Sequence, residues 1–279
     1  MSEVVLDLSV IIPFKDHSDL TIECLKSLEL YPNKVKEVLL VSNNSSVSEL
    51  NKVKRIAKEY NNTKLLEYNH PFNFQKINNW AAKKATTKVY LFLNNDIELL
   101  KESKEVLNEM YRNALLPDIG AVGCILLYDD RKTIQHAGVY LVPGGTADHL
   151  YIGKKLSTVL HKIDTQEYFY DIKQNIEVSA VTAAAVMVTK DNFNAVGGFN
   201  EDFIICGGDV DLCLRLNSIG KKTIMIGSEH GYMVHKESRS RSSINIPYID
   251  FVESYKSYTN YFNLNKGDPH LEWNRIPHE

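Results

Sequence analysis

Over the first hundred residues, short β-branched runs alternate with longer amphipathic stretches, the pattern of parallel strands joined by crossover helices. The apolar runs predict strands at 8–13, 37–42, 64–68 and 89–93, and the stretches between them predict helices at 20–30, 48–60 and 74–85. Ser46 or Ser48 supplies the cap of the second helix. Beyond Asp118 the rhythm changes to longer strands and turns: 119–128, a hairpin around 129–132, a turn at 143–145 and a strand at 178–189. A helix over 210–219 stops at Gly220, which suits a C-cap. Tyr248, Phe251, Tyr255, Tyr258 and Phe262 fall at helical spacing and are expected to pack inward, because no run of lysines accompanies them. The fold class expected is α/β, with a mixed, mainly parallel sheet flanked by helices and a C-terminal helical extension.

The chain has 279 residues, of which 44% are hydrophobic and 24% charged, enough to bury a large core. A formal charge of −3 argues against nucleic acid bound through a broad basic face. The four cysteines show no C-x-x-C spacing and read as reduced core thiols, which points to a reducing cytoplasm. Residues 1–9 carry Glu3 and Asp7 where a signal peptide would be basic, and the longest near-apolar run, 178–188, is too short to span a bilayer. A soluble protein is expected. No G-x-G-x-x-G follows the first strand and no Walker-type loop occurs, so hydride transfer and P-loop chemistry both lose ground.

In open parallel sheets the ligand sits beyond the carboxyl ends of the strands, which here are 13–16, 42–45 and 94–96, all polar. Asn94 and Asp96 lie two apart and leave the strand on one face, where Asp96 can hold Mg²⁺ or Mn²⁺; the same residues also suit a strand-ending Asx turn. Asp209 follows two glycines and opens a helix, as a base or as an N-cap. Asp211 points to another side of that helix, so the two acids have different jobs. His235 ends a strand-like run and is either structural or a further ligand for Mn²⁺, with Arg239 and Arg241 available to phosphate oxygens or simply solvated. His136 and His149 flank the glycine turn at 144–145, either lining a sugar pocket or forming a hydrogen-bonded hairpin pair.

Taken in order, residues 10–16 (VIIPFKD), 72–74 (FNF) with 77–79 (INN), 91–96 (LFLNND), 134–139 (IQHAGV), 197–201 (GGFNE), 209–215 (DVDLCLR) and 235–238 (HKES) resemble an inverting glycosyltransferase of family 2. That resemblance implies a GT-A, Rossmann-like domain over 1–241, with a nucleotide half to about 117, an acceptor half after it, and an extension over 242–279. It implies a nucleotide-sugar donor, an oligosaccharide or lipid-linked acceptor, and Mn²⁺ or Mg²⁺ on Asp96 and His235. Asp209 would be the general base. Phe14, Asp16, Ser42 and Asn43 would surround the base of the nucleotide, Asn79 would lie near the ribose or diphosphate, and Asn94 and Asn95 would complete the donor site. His136, Thr182, Ala183, Gly208 and Asp211 would border the sugars.

Two positions depart from the pattern: Ser42 stands where many relatives have an aspartate for the pyrimidine N3–H, leaving uridine or deoxythymidine open, and Asn94 replaces the first acid of the D-x-D-like motif. The motifs resemble those of transferases building bacterial surface polysaccharides from rhamnose or galactose donors. A lipid-linked acceptor would place the enzyme at the inner face of the cytoplasmic membrane, and the sequence leaves open whether it acts alone or beside other transferases. The competing readings are a sugar nucleotidyltransferase, against which the first strand lacks a glycine-rich basic loop, and a non-catalytic carbohydrate-binding scaffold, against which Asp96, Asp209 and His235 are intact.

Overall fold

In the computed structural model, which describes residues 5–29, 34–142, 146–236, 246–261 and 267–277, the first hundred residues do alternate strand and helix. They run β1 (Val5–Phe14), α1 (Ser18–Leu28), β2 (Lys34–Ser42), α2 (Val47–Ala57), β3 (Thr63–Glu67), α3 (Phe74–Ala82), β4 (Val89–Leu93) and the short β5 (Ile97–Leu99). Ser46 caps α2 by accepting the Glu49 N–H. Next come α4 (Val106–Ala114), β6 (Ile119–Cys124), β7 (Leu126–Leu127), β8 (Ile134–His136), β9 (Val139–Val142), β10 (Thr146–His149) and α5 (Leu156–Asp164). The chain continues through β11 (Ile176–Val178), β12 (Ala185–Thr189), α6 (Lys190–Ala195), α7 (Gly208–Ser218), β13 (Lys222–Ile226), β14 (Met233–His235) and α8 (Tyr248–Tyr261).

Eight strands form one sheet in the order β11-β13-β6-β12-β4-β1-β2-β3, so strands from both halves of the chain share a single sheet. β1 pairs in parallel with both β2 and β4, and this reversal of strand order opens a crevice beyond their carboxyl ends. Alternation sends Ile11, Leu39 and Phe92 to one face, against α3 and α7, and Val10, Leu40 and Leu91 to the other, against α1, α2 and α4. Each of these fully buried side chains contributes roughly 1.5–3 kcal/mol. A second sheet, β5-β14-β7-β8, carries His235 to the rim of the crevice.

The long strand expected at 119–128 is two strands in different sheets, and that at 178–189 breaks into β11 and β12 around a loop at 179–184. Every residue of β6 and β7 is buried, so no polar alternation marks where the chain changes sheets. The hairpin expected near 129–132 joins β7 to β8. The expected turn at 143–145 lies outside the described residues, between the paired strands β9 and β10.

α8 overturns the expected inward packing of the aromatic stripe. Tyr248 (82%), Phe251 (58%) and Tyr255 (60%) are exposed, and of that stripe only Tyr258 is buried among the described residues. The buried side of α8 is polar instead: Asp250, Glu253 and Ser257. Hydrogen bonding explains the orientation, because Asp250 accepts the N–H groups of Ile204, Ile205 and Cys206 at 2.6, 2.9 and 2.9 Å, and Ser257 Oγ donates to Asp211 at 2.7 Å. Rotating the aromatics inward would strand those donors without a partner.

Candidate active site

The crevice is a cleft of about 520 Å³ lined by the carboxyl ends of β1 and β4, the start of α3, the 182–184 loop, Asp209 and His235. Its floor turns sharply at the end of β1, where Asp16 (φ 52) and His17 (φ 44) both adopt the left-handed conformation. Two hydrogen bonds hold this turn against the neighbouring strand end: Asp16 N donates to Ser45 Oγ at 3.0 Å, and the Asp16 carboxylate accepts the Ser46 N–H at 2.7 Å. Asp16 therefore faces the cleft with one oxygen already engaged.

Asp96 and His235 meet at the polar end. The Asp96 Oδ1 to His235 Nε2 separation is 3.2 Å, and both residues are buried. His235 Nδ1 lies 2.6 Å from Gln135 Oε1, an acceptor, so the proton sits on Nδ1. Asn94 Nδ2 donates toward Nε2 at 3.3 Å, which requires the same tautomer. The unprotonated Nε2 and a carboxylate oxygen thus converge at 3.2 Å, close to the ~3.0 Å edge of an octahedron with ~2.1 Å bonds; a cation there would take the lone pair now offered to Asn94. One imidazole, oriented by a second hydrogen bond, and one carboxylate fit a hard divalent ion whose shell is completed by phosphates and water. Among the described residues no group of three or more His, Cys, Asp or Glu is placed to hold a metal ion, so such an ion would depend on its substrate for further ligands.

Asp209 stands in the first turn of α7. Its Oδ2 accepts the Ala183 N–H and its Oδ1 the Val210 N–H, both at 3.0 Å. Gly207 precedes the helix with φ 86, a conformation that admits glycine readily. The 182–184 loop ties the site together, for Asn94 N also donates to Ala184 O at 2.9 Å. Thr182, Ala183, Asn94 and Asn95 all line the cleft, Asn95 with its amide donated to Thr21 Oγ1.

Several expected site residues lie elsewhere. Asn79 is buried behind the cleft and fastens the 199–201 turn, donating to Phe199 O and Glu201 Oε1 and accepting the Phe199 N–H. Asp211 accepts from Arg215 Nε at 2.7 Å and from Ser257, an internal anchor on the opposite side of α7 from the cleft wall. Ser42 is buried at its strand end, whereas the next residue, Asn43, lines the cleft with its amide donated to Tyr68 O and His70 O. Gly208 is buried beneath Gln75. Arg239 and Arg241 lie outside the described residues. The pattern missed the apolar lining residues Leu20, Phe72, Phe74 and Ile205 and the amide Gln75, as well as Gln135, which reaches the site only through His235. Gln135 stands between Ile134 and His136 and carries no local sign of that role.

His136 is a hairpin histidine, not a pocket residue. It is 1% exposed, its Nδ1 lies 3.2 Å from His149 Nδ1, and its Nε2 takes the Thr182 N–H at 3.4 Å. Burial, followed by the nearby His149 and His235, holds its pKa well below the ordinary imidazole value. The unfolded chain takes up this proton near pH ~6.5, so below that value the unfolded state binds more protons than the native one. Stability from this group is therefore present above pH ~6.5 and is lost as pH falls toward the native pKa, at up to ~1.4 kcal/mol per pH unit. Urea midpoints measured from about pH 7.5 to about pH 5.5 should fall less steeply in His136→Gln than in wild type. Equal slopes would show that His136 does not set this dependence.

A largely parallel sheet flanked by helices, extended by antiparallel strands and opening a polar crevice at its switch point, is the architecture of GT-A transferase structures. Two solved structures share that fold: GalNAc-T7 with UDP, GalNAc and Mn²⁺ (TM-score 0.64, 13% identity, 92% of this chain and 50% of that one), and the mannosyltransferase PcManGT from Pyrobaculum calidifontis in complex with GDP-Man and Mn²⁺ (TM-score 0.57, 14% identity, 91% and 69%). Residues 9–138 match Glycosyl transferase family 2. The chain is also 38% identical over 271 residues to the O-antigen biosynthesis protein RfbC of Myxococcus xanthus, covering 94% of this chain and 20% of that protein. Over residues 9–138 the chain belongs to glycosyltransferase family 2. It spans about a fifth of the length of RfbC. No helix among the described residues is long and apolar enough to cross a membrane.

Proposed function

We propose that the cleft transfers a sugar, with inversion, from a UDP- or dTDP-linked donor to a hydroxyl of a glycan or lipid-linked acceptor in O-antigen or capsule synthesis. The observation that carries this reading is the placement of Asp209 in the same cleft as the Asp96–His235 pair. Phe14, Leu20, Phe72 and Phe74 supply an apolar wall suited to a nucleobase, while Asp96 and His235 form a polar end suited to a diphosphate and its cation. The 38% identity to RfbC supports the polysaccharide setting.

In this mechanism Asp209 takes the proton of the acceptor hydroxyl while that oxygen bonds to the anomeric carbon. The bond from that carbon to the diphosphate oxygen breaks on the opposite side, so one displacement inverts the configuration. The Ala183 N–H steadies the carboxylate as the acceptor approaches. Mn²⁺ or Mg²⁺ held by Asp96 and His235 would supply positive charge to the departing diphosphate. Gln135 keeps the His235 proton on Nδ1, so Nε2 is the atom that would hold the ion.

Thermal unfolding with UDP, dTDP or GDP, each with and without Mn²⁺, tests the site. A nucleoside diphosphate at a hundredfold excess over Kd stabilises the native state by ~2.7 kcal/mol. One nucleotide class should do so only with Mn²⁺, and Asp96→Ala should lose the effect. Stabilisation that survives in Asp96→Ala would remove this residue from the site, and no stabilisation of wild type would favour a scaffold.

A further inference from the structure

One cleft residue is polar, buried and unpaired. Gln75, the second residue of α3, is 1% exposed and lines the cleft. Its Oε1 has no hydrogen-bond partner among the described residues. Its carboxamide occupies the space that a side chain at Gly208 would need, since a Cβ built there would come within 2.5 Å of Gln75 Cδ. Gly208 is followed directly by Asp209, so the amide lies at the reacting end of the cleft, while Asn43 marks the other strand end. Buried amide oxygens are almost always hydrogen-bonded, and an orphaned one on a residue that lines a cleft calls for a partner from outside the chain.

We infer that Gln75 Oε1 accepts a hydrogen bond from a hydroxyl of the sugar being transferred, and that it thereby selects the donor hexose. The inference rests on the transferase reading above. An oxygen acceptor demands an O–H or N–H donor, which the ionised diphosphate does not offer and a sugar hydroxyl does. Asn78 Oδ1 is also unpaired, but that residue is not among those lining the cleft and its amide is donated to Phe74 O within the helix. A site that hydrogen-bonds a hydroxyl discriminates strongly against sugars that lack it or present it at the wrong stereocentre, because its own polar group is then left unmade.

Calorimetric titration in the presence of Mn²⁺ reads this directly, using free UDP, dTDP and GDP together with UDP-glucose, UDP-galactose, dTDP-rhamnose and GDP-mannose. The variants are Gln75→Met, which keeps the volume beneath Gly208 but removes the acceptor, and Gln75→Glu, which keeps an acceptor oxygen. Gln75→Met should bind the free nucleoside diphosphate as wild type does while its affinity for the matching nucleotide-sugar falls about tenfold, or ~1.4 kcal/mol. Gln75→Glu should recover part of that loss. Equal weakening of nucleotide and nucleotide-sugar would assign Gln75 to the nucleoside and overturn the inference, as would unchanged affinity for both. Failure of wild type to bind any of these ligands would overturn the transferase reading together with it, whereas binding without a Gln75 effect would sink the inference alone.

Discussion

Asp209→Asn is expected to turn over at a rate roughly 10²–10⁴ below wild type while binding the nucleotide-sugar with little change. The substitution is isosteric, and the asparagine Oδ1 can still accept the Ala183 N–H that holds the 182–184 loop, so the walls of the cleft stay in place. What disappears is the capacity to take a proton. The loss should fall on kcat, with KM for the donor nearly unchanged, because the interaction removed operates only as the acceptor oxygen attacks. Steady-state kinetics with donor and acceptor decide the matter. Full activity in Asp209→Asn would remove the residue from the chemistry, and a collapse of donor affinity would recast it as a binding residue.

The second large effect is remote from the substrate. Asp250→Ala should lower unfolding stability by roughly 3 kcal/mol, since it removes a buried carboxylate that accepts three backbone N–H groups, and bonds to charged acceptors are the stronger class. Those amides belong to Ile204, Ile205 and Cys206, immediately before the glycine turn that presents Asp209, and Ile205 itself lines the cleft. Phe74 N also donates to Ile204 O, so this segment is held between α3 and α8. Asp250→Ala should therefore reduce kcat as well as stability, and Asp250→Asn, which keeps one acceptor oxygen, should lie between the two. Urea unfolding and turnover measured on the same preparations test both effects. Stability within ~0.5 kcal/mol of wild type would show that the three bonds are replaceable by water.

The site residues differ in how far a local pattern could reveal them. Asp96 and Asp209 stand at the ends of elements whose periodicity is plain, and a carboxylate at a strand end or helix start already suggests cation or proton chemistry. Asp211, two positions along, carries the same local signal, yet it anchors Arg215 and Ser257 inside the protein. Asn79 and His136 likewise sit in motif-like segments and serve the packing of loops. Gln75, Gln135 and Asp250 left almost no trace. Two are neutral amides, and the partner of Gln135 lies 100 residues away; Asp250 reaches across 46 residues to Ile204.

Hydrophobic periodicity is a local property, and it was sufficient to predict the strand and helix alternation, the parallel core and the polar strand ends where a ligand collects. It could not say where 119–128 changes sheets, since a strand buried on both faces has no polar alternation to mark the break. Nor could it orient α8, whose aromatic stripe spells an inward face while the amides of 204–206 and Asp211 draw its polar side inward instead. Side-chain hydrogen bonds between distant segments are settled only when those segments meet. Tertiary contact therefore decided which acids face the cleft, which His235 tautomer is held, and that Gln75 Oε1 finds no partner among the described residues.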